Sequence, residues 1–288
     1  MQWSGRRESN NIEDRRGMST GGMVAGGGLG TLVLLVVAML FGVDPSALLR
    51  QDGPEPGSEP AATRRAVNPT EEEMVKFTRV VLADTEDVWG DLFRTQLKKE
   101  YRAPILTYFS GATRSGCGAA SSATGPFYCP ADQKVYIDLQ FFNEMTTRFR
   151  AAGDFAQAYV IAHEIGHHVQ NQLGVLDQVH SQQGRTSKAE ANQLSVRSEL
   201  QADFLAGVWA HYEQQMKNVL QPGDIEEALN AANAIGDDRL QKQAQGYVVP
   251  DSFTHGTSAQ RARWFRLGYE TGDLSRMMDL FKLPYGQL

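Results

Sequence analysis

From residue 70 onward, apolar side chains recur mostly at spacings of three and four, which is the period of a helix with one buried face. The first such stretch predicts a helix over residues 70–98, and Asn68 with Pro69 supplies a start signal in front of it. The same period returns after residue 139. It predicts a series of further helices, over about 140–150, 154–172, 188–219, 224–235 and 258–270.

Between the first two predicted helices, shorter apolar segments have the pattern of β-strands. Lys134–Leu139 alternates apolar and polar side chains, and Ile105–Phe109 is a second strand candidate. The segment between Pro126 and Pro130 is expected to be irregular or to lie at a sheet edge. The sequence therefore predicts an α+β fold, with a small sheet before the helix at 154–172 and a mainly helical C-terminal part.

The N-terminal part is patterned differently, because no charged residue occurs between Arg16 and Asp44. As a helix, residues 22–43 would be long enough to cross the hydrocarbon core of a bilayer. Several arginines precede this stretch, and the positive-inside rule then keeps residues 1–21 in the cytoplasm. The sequence thus predicts a single transmembrane helix in front of the folded domain. A cleaved signal peptide is the alternative interpretation.

The residues after this stretch complete the predicted domain organisation. Residues 44–67 are rich in proline, glycine and acidic side chains, as is typical of a flexible linker. The remaining residues, 68–288, are numerous enough for one domain with a sizeable core. We therefore expect a single-pass membrane protein whose N-terminus is cytoplasmic and whose folded domain lies outside the cytoplasm.

Charge and cysteine content limit the possible partners and the compartment. The chain has a net charge of −6 and no run of lysine and arginine, so nucleic-acid binding is not expected. Its two cysteines are Cys117 and Cys129. A location outside the cytoplasm favours a disulfide between them, whereas in the cytosol they would be free thiols or a metal-binding pair. No feature of the sequence predicts an oligomeric state.

The segment His163-Glu164-Ile165-Gly166-His167 carries the strongest chemical signal in the chain. Side chains four residues apart on a helix lie on the same face, so His163 and His167 can bind one zinc ion together. Glu164 lies beside that face and can act as the general base that accepts a proton from water. Gly166, which has no side chain, would allow another element to approach this helix closely.

A catalytic zinc site needs a third protein ligand and one open position. Glu199 is the best candidate, because Glu199 and Asp203 are four residues apart on a predicted helix and share a face. Glu199 would bind zinc, and Asp203 would accept a hydrogen bond from a ligating histidine and orient it. The remaining candidates are His168, which points away round its helix, and His180 and His211, for which surface or core positions are sufficient.

At this point the sequence resembles a known group of enzymes. The segment His-Glu-Ile-Gly-His followed by Glu-Leu-Gln-Ala-Asp is similar to the zinc motifs of the gluzincin metallopeptidases. More closely, residues 68–270 resemble the bacterial neutral zinc metallopeptidase family of membrane-anchored proteins. Beyond the zinc motifs, the resemblance runs through Cys117-Gly118, Ser122, Gly125–Pro130, Asp132, Tyr136–Leu139 and Thr254–Arg261. It implies a zincin-like fold, one catalytic zinc ion, a protein or peptide substrate and a location at the bacterial cell membrane.

The resemblance also implies roles for residues outside the zinc motifs. In gluzincins, the strand before the zinc-binding helix often forms the cleft edge, and the substrate pairs with it as an added strand. In this chain the strand would contain Phe127, Tyr128 and Tyr136. A histidine after the third ligand often stabilises the oxyanion. That role would fall to His255, with Arg261 as a second candidate.

Together these observations predict a zinc-dependent endopeptidase, in which Glu164 activates water at a zinc ion held by His163, His167 and Glu199. Two other functions stay open at this stage. One is a zinc-stabilised, membrane-tethered scaffold without turnover, which a fourth protein ligand would favour. The other is a zinc amidase of the cell envelope that acts on a non-peptide amide.

Overall fold

Two small sheets are present in the computed structural model, which describes residues 1–17 and 69–288. Their strands are β1 (Ile12–Asp14), β2 (Ile105–Phe109), β3 (Ala112–Ser115), β4 (Gly118–Ser121), β5 (Phe127–Cys129) and β6 (Lys134–Asp138). The main sheet has the order β1-β2-β6-β5. Strands β1 and β6 are parallel to β2, whereas β5 is antiparallel to β6 and lies at the edge. Strands β3 and β4 form a separate hairpin.

Helices make up most of the remaining described chain. They are α1 (Pro69–Leu92), α2 (Gln140–Thr147), α3 (Asp154–Gln172), α4 (Val175–Gln183), α5 (Lys188–Lys217), α6 (Asp224–Ala234), α7 (Asp237–Gln245), α8 (Ser258–Thr271) and α9 (Asp279–Lys282). A π-helical turn, Phe93–Leu97, continues α1 and ends where Lys98 adopts a left-handed conformation. Short 3-10 turns occupy Ser122–Thr124, Pro250–Ser252, Leu274–Met278 and Tyr285–Gln287.

The described residues have an α+β fold in which a small mixed sheet precedes α3 and helices follow it. The predicted fold class also included a transmembrane helix, and that part of the prediction is wrong. No helix within residues 1–17 and 69–288 is long and apolar enough to cross a membrane. The predicted span at 22–43 and the predicted linker at 44–67 both lie outside the described residues.

Several short elements were not predicted, because each has few apolar side chains to reveal its period. Helix α4 lies in a mostly polar stretch, and only Val175, Leu176 and Val179 are buried on it. The β3–β4 hairpin is rich in glycine, serine and alanine, and Thr113 is its one buried residue. These elements take their conformation from the surfaces they pack against, which the local sequence pattern does not contain.

Residues 1–15, which we call the N-terminal arm, pack in the same compact unit as the domain at 69–288. Strand β1 of the arm pairs with β2 and so extends the main sheet by one strand. The sequence had placed residues 1–21 and 68–288 on opposite sides of a membrane. In the structure, the arm and the domain are in direct contact.

Buried charges fasten the N-terminal arm to two helices. Arg6 donates to Asp84 of α1 at 2.7 Å and to Glu213 of α5 at 3.0 Å. Lys217 of α5 donates to the same Asp84 at 2.6 Å. Asp84 and Glu213 are buried, so the two cations offset the cost of removing these carboxylates from water. The arm is therefore a structural component of the domain.

Close crossings between helices bring the predicted site residues together. A Cβ at Gly166 of α3 would lie only 2.9 Å from the carbonyl oxygen of Ala202 on α5, so the close approach expected at this glycine is confirmed. A Cβ at Gly207 of α5 would lie 2.0 Å from a backbone oxygen of α8, and one at Gly268 of α8 would lie 2.1 Å from a backbone oxygen of α5. Helices α3, α5 and α8 thus form the tightly packed base of the site.

We predict that Gly166→Ala destabilises the protein by about 1–3 kcal/mol, because the new methyl group must push α3 away from the backbone of α5. The loss is measured as the change in the free energy of unfolding in urea. Gly90→Ala is the matched control, since a Cβ at that helical position meets nothing within 4 Å and should be neutral or stabilising. Equal stability of the two variants would contradict the close crossing.

Candidate metal centre

Two histidines of α3 and a glutamate of α5 bring their ligand atoms together. Glu199 places one carboxylate oxygen 3.1 Å from Nε2 of His163 and the other 3.4 Å from Nε2 of His167. Ligand atoms from the three residues lie within 4.8 Å of one another. Two imidazoles and one carboxylate are a donor set typical of catalytic zinc.

Asp203 orients His163 from the side opposite the ligand atoms. Its Oδ1 accepts hydrogen bonds from Nδ1 of His163 at 2.8 Å and from the hydroxyl of Tyr159 at 2.5 Å. Nε of Arg261 donates to Oδ2 at 2.8 Å. All four side chains are buried. Burial alone would raise the pKa of Asp203, but Arg261 and His163 lower it to about 2, so the carboxylate is ionised.

Gln170 orients His167 in the corresponding way. Its side-chain oxygen lies 2.8 Å from Nδ1 of His167 and accepts the hydrogen bond from it. Its Nε2 donates to the backbone oxygen of Ser198 at 2.7 Å and to the side chain of Gln201 at 2.9 Å. These two bonds leave the oxygen of the amide, and not its nitrogen, facing the histidine.

Both hydrogen bonds select the same tautomer of the two histidines. With Nδ1–H donating to Asp203 or to Gln170, the lone pair on Nε2 of His163 and of His167 is free to bind a metal ion. Each Nε2 faces Glu199. The residues present therefore fit a zinc ion, and sites of this composition are completed by an open fourth position.

Glu164 is the acid next to these ligands. It is 8% exposed and lines the same cleft as His163, His167 and Glu199. Burial raises the pKa of Glu164, and the two neighbouring histidines only partly oppose that rise. A buried carboxylate with a raised pKa is a stronger base than an exposed one, as proton transfer near neutral pH requires.

The ligands lie in a cleft with a volume of about 950 Å³. One wall is formed by strand β5 and the residues before it, and helix α4 lies on another side. Apolar side chains supply much of the lining, among them Phe141, Phe149, Val160 and Leu176. A cavity of this size accommodates several residues of a peptide, and its walls match apolar side chains.

The residues predicted for the cleft edge have different positions. Phe127 and Tyr128 of β5 line the cleft, whereas Tyr136 lies behind them on β6. Tyr136 stacks on Phe127 with ring centroids 4.9 Å apart and donates from its hydroxyl to Asp132 at 2.6 Å. Tyr136 therefore supports Phe127 from the neighbouring strand and is not among the residues that line the cleft.

His168 is absent from the ligand set, as the sequence predicted, and instead fastens β5 to α3. Its Nε2 donates to the backbone oxygen of Arg102 at 2.6 Å, and the hydroxyl of Tyr128 lies 3.0 Å from its Nδ1. Burial lowers the pKa of His168 to about 4, so the ring is neutral and its Nδ1 can accept the hydrogen bond from Tyr128.

The other two histidines that were candidates for the third ligand, His180 and His211, also lie outside the ligand set. His180 lies on α4 at the rim of the cleft. His211 donates from Nδ1 to the backbone oxygen of Tyr269 at 2.7 Å. The predicted disulfide between Cys117 and Cys129 is confirmed, and it joins the turn of the β3–β4 hairpin to β5.

His255 and Arg261, the two candidates for oxyanion stabilisation, have different surroundings. His255 lines the cleft with half of its side chain exposed, and its Nδ1 lies 3.2 Å from Oδ1 of Asp237. Asp237 also accepts hydrogen bonds from the backbone N–H groups of His255 at 2.6 Å and Gly256 at 3.1 Å. Arg261 is 3% exposed, and its guanidinium is bonded to Asp203.

Three residues of the site are not predicted by the sequence analysis above. Tyr159 and Gln170 lie one turn before His163 and three residues after His167, so helical spacing could have indicated both. Asp237 could not have been found in this way. It reaches the loop of His255 from a helix start 18 residues earlier, and no local pattern links the two positions.

Comparison with known proteins identifies similar chains. A family described as "Putative neutral zinc metallopeptidase" matches residues 1–280. The uncharacterized protein YpfJ of Escherichia coli K12 is 54% identical over 282 residues, which are 95% of this chain and 96% of YpfJ. The uncharacterized proteins Mb2605 of Mycobacterium bovis and Rv2575 of Mycobacterium tuberculosis are each 44% identical over 253 residues, or 82% of both chains compared. No solved structure matches the chain.

We predict that Gln170→Leu weakens zinc binding about 10- to 100-fold, because His167 loses the acceptor that fixes its tautomer and orientation. The affinity is measured by competition with a chelator of known zinc affinity. Gln178→Leu, at an exposed position of α4, is the control and should bind zinc as tightly as the wild type. Wild-type affinity in Gln170→Leu would show that this hydrogen bond does not orient a ligand.

Proposed function

Because this chain belongs to the "putative neutral zinc metallopeptidase" family, we propose that it is a zinc-dependent endopeptidase that hydrolyses peptide bonds. The position of Glu164 carries this proposal. Glu164 lines the same cleft as His163, His167 and Glu199, beside the ligands rather than among them. A structural zinc site has no use for an additional acid at that place, whereas hydrolysis requires a base there.

The three ligands define the chemistry that the cleft supplies. His163, His167 and Glu199 would hold one zinc ion, a Lewis acid that polarises a peptide carbonyl and lowers the pKa of water to about 7. Asp203 and Gln170 keep the two imidazoles in the required tautomer. Since these orienting bonds are already formed, the ligands need little rearrangement when the ion binds.

Glu164 moves the protons of the reaction. It accepts a proton from the attacking water and delivers that proton to the nitrogen of the leaving amine. Its raised pKa suits both transfers, because the carboxylate is basic enough to take the proton and the carboxylic acid is acidic enough to return it. The pKa also predicts that activity declines as the pH falls and Glu164 becomes protonated.

His255 stabilises the negative charge that develops on the carbonyl oxygen of the scissile bond. Its Nδ1 faces Asp237, which leaves the Nε2–H group for the substrate. Asp237 raises the pKa of His255 and so favours the charged imidazolium, the stronger donor to an oxyanion. Arg261 acts indirectly. It forms an ion pair with the carboxylate of Asp203, and that carboxylate orients His163.

Strand β5 gives the substrate its direction in the cleft. It is an edge strand of the main sheet, and among the described residues it pairs only with β6, on one side. An extended peptide can hydrogen-bond to the other side of β5 as an additional strand. Phe127 and Tyr128 would then lie beside the substrate, and backbone pairing would bind it without selecting particular side chains.

We predict that Glu164→Gln retains zinc and loses at least about a thousandfold in kcat, because the amide cannot accept and return a proton. Cleavage is measured with a peptide library and mass spectrometry, and zinc content by elemental analysis. Glu226→Gln, at an exposed position of α6, should cleave as the wild type does. Full peptide hydrolysis by Glu164→Gln would rule out this mechanism.

We predict that Asp237→Asn moves the alkaline limb of the pH profile of kcat/KM to lower pH. Asp237 raises the pKa of His255, so loss of its charge lets His255 deprotonate at a lower pH and the charged donor is lost earlier. His255→Ala should lower kcat about 100-fold or more and abolish the same limb. An alkaline limb that stays in place in both variants would exclude His255 as the oxyanion donor.

A further inference from the structure

A second cavity adjoins the zinc cleft at one end. It has a volume of about 740 Å³ and shares the side chain of Phe149 with the cleft. We call it the basic pocket, and it is lined by Phe149, Arg150, Asn230, Asn233, Asp238, Arg239, Lys242, Val248 and Ser258. Phe149 therefore borders both cavities and places the basic pocket next to the cleft.

The charge of the basic pocket is opposite to that of the chain. The chain as a whole has a net charge of −6. The basic pocket is lined by three cations, Arg150, Arg239 and Lys242, and by one acid, Asp238. Locally clustered positive charge on an acidic protein selects and attracts anionic groups.

The one acid of the basic pocket already has partners. Oδ1 of Asp238 accepts hydrogen bonds from the backbone N–H of Ser258 at 2.8 Å and from its hydroxyl at 2.9 Å. Asp238 thereby accepts a hydrogen bond from a backbone N–H at the start of helix α8, where a negative charge is favourable. No carboxylate of the described residues forms an ion pair with Arg150, Arg239 or Lys242. Their charges are therefore available to a ligand.

The backbone at Arg150 is unusual for a residue with a side chain. Its φ is 55°, in the left-handed region that favours glycine and costs other residues about 1 kcal/mol. The following residue, Ala151, donates its N–H to the carbonyl oxygen of Met145 at 2.8 Å, and this bond helps to hold the turn. Lys98 and Asn218 adopt the same left-handed conformation where helices end, so the φ of Arg150 marks the end of α2 and is not in itself evidence of a ligand.

The boundary that the two cavities share is aromatic, since Phe149 lines both of them. The rings of Phe141 and Phe149 lie 6.2 Å apart, and both line the cleft. The guanidinium of Arg148 lies 5.2 Å from the ring of Phe149 and 3.8 Å from the carboxylate of Glu144, so its charge is already paired. An extended polypeptide can thus run along apolar rings out of the cleft and reach the cations beyond them.

We propose that the basic pocket is a substrate subsite that binds acidic side chains of the polypeptide being cleaved. This inference rests on the proposed function, since it supposes that the cleft holds a peptide. Carboxylates of aspartate or glutamate would pair with Arg150, Arg239 and Lys242, while the amides of Asn230 and Asn233 could donate further hydrogen bonds. The enzyme would accordingly favour substrates with acidic residues at a fixed distance from the scissile bond.

The first test measures binding alone and does not depend on turnover. Fluorescein-labelled hexaglutamate is titrated against zinc-loaded Glu164→Gln, and binding is followed by fluorescence anisotropy. We expect Arg150→Gln, Arg239→Gln and Lys242→Gln together to weaken binding at least about tenfold, and added salt to weaken it in the parent. Labelled hexaglutamine should bind the parent and the triple variant equally.

A charge-matched control separates the basic pocket from the general effect of lost positive charge. Lys76, Lys99 and Arg266 are exposed and line neither cavity, so their combined change to glutamine should leave hexaglutamate binding unchanged. Unfolding temperature and zinc content check that both triple variants are folded and loaded. Equal binding of hexaglutamate by the basic-pocket variant and the parent would overturn the proposal.

The second test compares cleavage of a peptide library by the wild type and the basic-pocket triple variant. We expect wild-type cleavage sites to be enriched at least about threefold in aspartate and glutamate at one position, and the variant to lose that enrichment while still cleaving. Cleavage without any acidic enrichment would overturn the subsite and leave the proposed function intact. No cleavage by the wild type would overturn the proposed function, and the binding test would still decide on the pocket.

Discussion

The site depends on the hydrogen bonds that the carboxylate of Asp203 accepts. This carboxylate accepts hydrogen bonds from His163 and Tyr159 of α3 and from Arg261 of α8, while it lies on α5 itself. One buried charge therefore joins the three helices and also sets the tautomer of His163, a candidate zinc ligand. An ionised carboxylate can remain in such a position only because every oxygen is hydrogen-bonded and the arginine compensates its charge. The same group thus contributes to packing and to chemistry.

This arrangement requires that the helices cross at short distance. Gly166, Gly207 and Gly268 permit it, since a Cβ at any of them would meet the backbone of the neighbouring helix. The short crossings in turn exclude water from Asp203, and a drier surrounding strengthens each of its hydrogen bonds. Two kinds of residue that look unrelated in the sequence, the small glycines and the charged pair Asp203 and Arg261, therefore serve one structural purpose.

Much of the site could be predicted from the sequence, because its chemistry is encoded at helical spacing. The histidines of α3 and the acids of α5 are each four residues apart, and this periodicity is legible without a structure. Contacts between segments that are distant in the chain could not be predicted from the sequence. Asp237 reaches His255 through a loop, and the N-terminal arm joins the sheet beside β2 across some 90 residues of sequence. For that reason helical spacing revealed neither the pairing of the arm with β2 nor the orienting partner of His255.

In the proposed site, three protein ligands bind one zinc ion and leave a position open for water. X-ray absorption spectroscopy at the zinc edge of the loaded protein measures this most directly. We expect a shell of four nitrogen and oxygen atoms at about 2.0–2.1 Å, with the multiple scattering of two imidazoles and with one oxygen that exchanges with solvent. A shell that contains sulfur or a third imidazole, or that is filled entirely by the protein, would contradict it.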